Sequence, residues 1–322
     1  MKDFHYHRPA TSTDALAALA TADSAPLGGG TDLLVTMKEG LAEPAHLVDM
    51  RYVRGARDIT VRADGSVRLG GAVRIADLAA HPVIREKFAA LAEAARLVGT
   101  PALRNMGTIA GNLCQRPRCW YYRRGVACLK NGGTGCAAVA GENQYHAIFG
   151  GGPCHAVHAS DPAVALTALE ATVELLGAND ARRSVPIGEF YAGAASNPRA
   201  ETVIAQGEIV EAVELPARSA GGTQRYAKVM QRGMWDFALV SLASVKRADG
   251  EVRMVLGGVA PAPHAVNPSV GEDVASGELD DESADALAER ALYDAVPLSK
   301  NGYKATQAAA LLKRAMLALS RA

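Results

Sequence analysis

The chain has 322 residues, 49 % of them hydrophobic, with 34 Lys and Arg set against 34 Asp and Glu. That length exceeds what one core usually supports and suits two domains, and the even charge excludes a disordered chain and a general nucleic-acid binder. No apolar run approaches the ~18 residues of a membrane span, and the opening MKDFHYHRPATS lacks the apolar stretch of a secretory signal, so neither a span nor an export signal of its own is expected.

In chain order, Thr13 to Ala20 has a helical pattern capped by Ser12 or Thr13. Ala25-Pro26-Leu27 then leads into the turn Gly28-Gly29-Gly30-Thr31-Asp32, and Leu33 to Met37 resumes an apolar periodicity. His46 to Asp49 and Val67 to Ala72 predict short strands, and Val83 to Val98 repeats apolar residues at helical spacing. Asp161-Pro162 opens a helix-to-strand run from Ala163 to Leu176, and Ile209 to Pro216 alternates like a strand. Arg218 to Thr223 predicts a linker, after which Gln224 to Val245 and Arg253 to Val259 supply strand and helix material before an amphipathic terminal helix over Tyr303 to Leu319. The expected class is mixed α and β, with a smaller α+β second domain.

Two glycine turns stand out. The first, at Gly28 to Asp32, lets backbone amides approach a phosphate, although a turn that satisfies only itself has the same composition. It lacks the GxGxxG spacing of a Rossmann fingerprint, which disfavours nicotinamide binding in that style. The second, RNMGTIAGNL at Arg104 to Leu113, again combines glycine, hydroxyl and amide without a carboxylate; its bland alternative is an arch with Asn112 bonding its own backbone. Two such turns suit a pyrophosphate held from both sides.

All five cysteines lie between Cys114 and Cys154, a clustering unlike a disulfide framework for a chain of this size. Cys119, Cys128, Cys136 and Cys154 are separated by eight, seven and seventeen residues. That spacing matches neither a ferredoxin run nor a standard zinc ribbon, so it leaves the metal open between iron–sulfur and zinc, the latter with His146, His155 or His158. The histidines otherwise suit surface or hydrogen-bonded loop positions. Arg116, Arg118, Arg123, Arg124 and Lys130 are expected to provide the positive surroundings that favour thiolates, and Trp120, Tyr121 and Tyr122 to shield such a site.

Taken together, and in order along almost the whole chain, GGGTDLL, RNMGTIAGNL, SDPAVAL, KVMQRGMWDFALVSLA and LGGVAPAP resemble the FAD-binding medium subunit of the xanthine dehydrogenase and molybdenum hydroxylase family. The cysteine-bearing insert resembles that of the flavoprotein subunit of bacterial periplasmic aldehyde oxidoreductase and, more loosely, of 4-hydroxybenzoyl-CoA reductase, both of which carry an extra [4Fe-4S] cluster. The resemblance implies an α+β fold: a two-subdomain FAD module of the vanillyl-alcohol-oxidase type over residues 1–217, its insert at about 114–158, then a small α+β domain over 224–322.

It further implies that the amides of Pro26, Leu27, Gly28, Gly29, Gly30, Thr31, Asp32, Leu33 and Leu34 hold the pyrophosphate, with Thr108, Ile109, Gly111 and Asn112 closing from the other side. Asp161 would meet the ribose or adenine end and Lys228 the flavin, with Val210 a looser match. A capping role for Asp161 and a solvated strand position for Lys228 are the bland alternatives. Cys119, Cys128, Cys136 and Cys154 would ligate the cluster, leaving Cys114 as a small buried hydrophobe behind the flavin site.

The implied role is an electron-transfer subunit with non-covalent FAD and no catalytic acid or base. Its partners would be a large molybdenum-cofactor subunit, a small [2Fe-2S] subunit and a terminal electron acceptor; its compartment would be cytoplasm or periplasm, reached with a partner. The competing classes are a self-contained flavin oxidase, the flavin subunit of a xanthine dehydrogenase or hydroxybenzoyl-CoA reductase type complex, and a zinc-dependent scaffold.

Overall fold

The structure, a computed structural model, describes residues 1–193 and 197–322. Three strands, β1 (His5–His7), β2 (Ser24–Leu27) and β3 (His46–Asp49), form a parallel sheet in the order β1-β3-β2. The helices Ser12–Leu19 and Leu33–Lys38 connect these strands, as parallel pairing requires. The first helix is capped by Thr11, whose hydroxyl accepts from the Asp14 N–H, one residue earlier than the sequence pattern suggests.

A second, antiparallel sheet contains β4 (Ile59–Val61), β5 (Val67–Gly70), β6 (Thr172–Leu176), β7 (Arg182–Pro186) and β8 (Ile209–Leu215), in the order β4-β5-β8-β6-β7. Between β5 and β6 the chain leaves the sheet for a run of short helices. The expected single helix over Val83 to Val98 is two, Pro82–Lys87 and Ala89–Arg96, separated at Phe88 (φ −132°, ψ 52°). Both halves bury their apolar residues in the same core, so the periodicity continues across a backbone break.

The third sheet, β9 (Thr223–Val229), β10 (Val240–Lys246), β11 (Val252–Gly257) and β12 (His264–Ala265), is antiparallel in the order β12-β11-β10-β9. The segment over Gln224 to Val245 therefore holds two strands and no helix. Alternate residues of this sheet serve two cores. Tyr226, Ala243, Val245 and Val255 join the largest apolar cluster, with helices Ala89–Arg96 and Asp161–Ala168, while Leu242, Met254 and Leu256 pack with the terminal helix Tyr303–Ser320. The third sheet is thereby fixed against the body that carries both glycine turns.

Lys304, at the start of the terminal helix, is 1 % exposed, and its Nζ donates to the Gly258 carbonyl at 2.7 Å with no carboxylate paired to it among the described residues. Burial pulls this amine down to about 7. The folded value lies below the unfolded one, so the folded state binds fewer protons across the interval between them; the penalty is complete below about pH 7 and fades as pH rises towards the unfolded value. Lys304→Met is expected to raise stability at pH 7 by about 1–3 kcal/mol, measured by denaturant unfolding, and to flatten the gain in stability from pH 7 to pH 10. A loss of stability at pH 7 would contradict this account.

Candidate functional site

The two glycine turns meet face to face. Strand β2 ends at the buried Leu27, and the turn that follows presses against the second so closely that a Cβ on Gly29 would stand 1.9 Å from the Met106 carbonyl oxygen, and one on Gly28 2.5 Å from the Thr108 hydroxyl. Only glycine permits this approach. The second turn is shorter than its sequence suggests: Thr108 caps a helix over Ile109–Leu113 by accepting from the Gly111 N–H at 3.2 Å. Asn112 does not bond its own backbone; its Oδ1 accepts from the Ser160 hydroxyl at 2.6 Å, tying the turn to the next helix. The side chains of Leu27, Leu33 and Leu34 pack with Met37 and Leu47, and Ile109 lies in the main core, leaving backbone rather than side chain to face a ligand.

A string of cavities runs past these turns. One of about 430 Å³ is lined by Pro26, Gly28, Thr108, Gly111 and Val210. A second of about 410 Å³ shares Gly111 with it and adds Thr31, Asp32 and Asn112. A third of about 370 Å³ shares Arg118 and Phe237 with the second and reaches Asp161. Val210 and Asp161 thus stand at opposite ends of one groove, with the turns between them.

Asp161 is not the helix cap. Ser160 takes that position by accepting from the Ala163 N–H, while Asp161 is buried and pairs with Lys228 Nζ at 2.8 Å and with the Tyr226 hydroxyl at 2.7 Å. The Lys228 side chain is 1 % exposed, which rules out a solvated strand position. The two residues therefore stand at one place along the groove. Tyr226 carried no sequence signal, because its partner lies 65 residues away.

The side chain of Asp32 is taken up by ion pairs at the second cavity. Its carboxylate accepts from Arg118 at 2.5 Å, from Arg123 at 2.8 Å and from the Arg116 N–H at 2.7 Å, all in the cysteine-bearing segment. Burial alone would raise the Asp32 carboxyl, but these donors offset it and hold the group below the usual carboxylate range. Arg116 and Lys130 pair in turn with Glu201. Four of the five basic residues expected to surround thiolates are therefore paired with carboxylates, Arg118 and Arg123 with Asp32 and Arg116 and Lys130 with Glu201, because a buried charge needs its own partner.

Cys119, Cys128, Cys136 and Cys154 line one narrow cavity together with Tyr121, Tyr122 and Lys130. None of them forms a disulfide. Burial raises the thiols of Cys119 and Cys154, partly offset by the backbone N–H groups of Tyr122 and Tyr121 at Cys119 and of Ala156 at Cys154. No histidine lines this cavity, and among the described residues no group of three or more His, Cys, Asp or Glu is arranged to hold a single metal ion. Four thiols around a common space, two of them with backbone donors at sulfur, are a donor set that could hold a metal or a cluster. Cys114 lies apart, against the main core and beside Gly111, where burial pushes its thiol up to about 12.

The histidines lie in loops, as expected, but two of them are not at the surface. His146 and His158 are both buried and both line the cavity that reaches Asp161. Both ring nitrogens of His158 lack a partner, and burial, with Arg118 nearby, pulls it down to about 3, so the ring is neutral. Sequence pattern could not show this, since neither residue belongs to a periodic element.

Comparison with known proteins gives one consistent result. The profile of the FAD binding domain in molybdopterin dehydrogenase matches residues 2–218. The aldehyde oxidoreductase FAD-binding subunit PaoB of Escherichia coli is 37 % identical over 94 % of this chain and 94 % of its own. The carbon monoxide dehydrogenase medium chain of Hydrogenophaga pseudoflava is 28 % identical over 97 % of this chain and 96 % of its own. A solved structure of carbon monoxide dehydrogenase from that organism superimposes with a TM-score of 0.74 at 26 % identity, covering 99 % of this chain and 98 % of that one.

Gly29→Ala tests the contact between the turns without adding charge. The 1.9 Å approach to Met106 must open, so flavin per chain in the purified protein is expected to fall at least tenfold, an effect on the order of 1.4 kcal/mol. Unchanged flavin would show that the turns do not form the site.

Proposed function

This chain belongs to the FAD-binding subunits of the molybdenum hydroxylases, and from that premise we propose that it is the electron-transfer subunit of such a complex, holding FAD in the groove and a [4Fe-4S] cluster among its four clustered cysteines. When bound, the flavin interconverts two-electron and one-electron transfer and the cluster exchanges single electrons. The observation that carries the reading is that the four-cysteine cavity and the groove share Cys119.

The chain's own part is to bind, orient and exclude water. Backbone amides of Gly28 to Asp32 would hold the pyrophosphate, with Thr108, whose hydroxyl accepts from the Gly111 N–H, fixing the second turn that closes from the other side. The Asp161–Lys228 pair would face one end of the cofactor and Val210 the other. Cys119, Cys128, Cys136 and Cys154 would ligate the cluster, screened by Tyr121 and Tyr122. No residue serves as general acid or base, because the organic substrate would be oxidised in a large molybdenum-cofactor partner, with a small [2Fe-2S] partner in between. The likeness to PaoB supports an aldehyde as that substrate. We assign the FAD-binding unit to residues 1–217 and the second unit to 224–322.

The complex purified with its partners should carry about four irons on this chain, beyond those of the [2Fe-2S] partner, and FAD that acid precipitation releases. Cys114→Ala should keep iron and flavin, whereas Cys119→Ala should lose the four-iron signal in electron paramagnetic resonance. The reverse pattern, or a flavin that stays with precipitated protein, would overturn this assignment.

A further inference from the structure

The four-cysteine cavity meets the groove at Cys119, the one cysteine that lines both. Its sulfur lies 3.3 Å from Nε2 of His146. The backbone at His146 is held in place: its main-chain N–H donates to the Asn143 carbonyl at 3.0 Å, its carbonyl accepts from Asn301 Nδ2 at 3.0 Å, and both asparagines are fully buried. Trp120 and Tyr121 flank the ring at 6.2 and 6.0 Å between centroids.

The ring's other nitrogen decides the direction of the bond. Nδ1 is buried and has no hydrogen-bond partner. A neutral imidazole carries one N–H. If Nδ1 carried it, a buried donor would lack an acceptor, and Nε2 would need a proton from a sulfur that has none once it ligates iron. If Nε2 carries it, that N–H donates to the sulfur and only the Nδ1 lone pair is left unmet, the less costly arrangement.

We propose that His146 donates from Nε2 to the Cys119 sulfur when that cysteine ligates the cluster, and so sets the cluster's reduction potential at the ligand nearest the flavin groove. The inference rests on the cluster reading above. Reduction adds negative charge that is shared by the thiolate ligands, and an N–H aimed at one of them stabilises the reduced form more than the oxidised form. His146 is thus a positioning residue that acts through Cys119, and the cluster is tuned where it faces the groove.

The test is a redox titration of the purified complex followed by electron paramagnetic resonance. His146→Phe keeps a ring of similar width and removes the donor. With iron at the wild-type level, its cluster midpoint is expected to move negative by about 59 mV, a tenfold change in the one-electron equilibrium. His146→Gln, which restores an N–H, is expected to recover most of that shift. An unchanged midpoint in His146→Phe overturns the proposal. Should that variant fail to load iron, pulsed resonance on the wild-type complex labelled with ¹⁵N-histidine decides: a histidine nitrogen coupled to the reduced cluster supports the bond, and its absence overturns it. A wild-type complex with no four-iron cluster overturns the cluster reading itself, a distinct failure.

Discussion

The carboxylate of Asp32 holds the two halves of this site together. It stands in the first glycine turn, yet all of its strong partners, Arg118, Arg123 and the Arg116 N–H, lie in the cysteine-bearing segment. A partly buried acid gripped by two guanidinium groups is costly to break, because removing one member leaves the others charged and unpaired. The turn is therefore fixed from behind by Asp32 and from in front by the contact of Gly28 and Gly29 with the second turn. The same clasp anchors the stretch that carries Cys119, so groove and cysteine cavity cannot move independently.

This arrangement explains how the positive charge is used. A segment so rich in arginine could be taken for an electropositive environment that raises thiol acidity directly. The structure instead spends Arg118 and Arg123 on Asp32, and Arg116 and Lys130 on Glu201. What faces the sulfurs is backbone N–H, aromatic surface and one ammonium, that of Lys130, which helps to lower the Cys154 thiol. Under the proposed cluster assignment, deprotonation of the four thiols would be driven chiefly by metal binding, with the arginines serving as mechanical ties.

Much of the fold was legible in local pattern. Strand β3 at His46–Asp49 and the helix after the first turn fall where apolar spacing places them, because each packs against one sheet face or one cluster. The break at Phe88 was hidden since both flanking helices bury residues in a common core. Two strands replaced the mixed elements expected over Gln224 to Val245, in part because β10 is buried on both faces, which removes the alternation that marks a strand. The glycine turns and cysteines were visible as composition. The pairs that organise them were not: Asp161 with Lys228, 67 residues apart, and Asp32 with Arg118, 86 apart, are set by the tertiary fold.

The central claim is that the glycine turn and the cysteine segment form one unit through Asp32. Iron and flavin content of the purified Asp32→Asn complex tests it directly, since the amide keeps the side chain's shape while removing the charge that Arg118 and Arg123 require. The account predicts that flavin and the four-iron complement fall together. Loss of flavin with iron at the wild-type level, or no change in either, would contradict it.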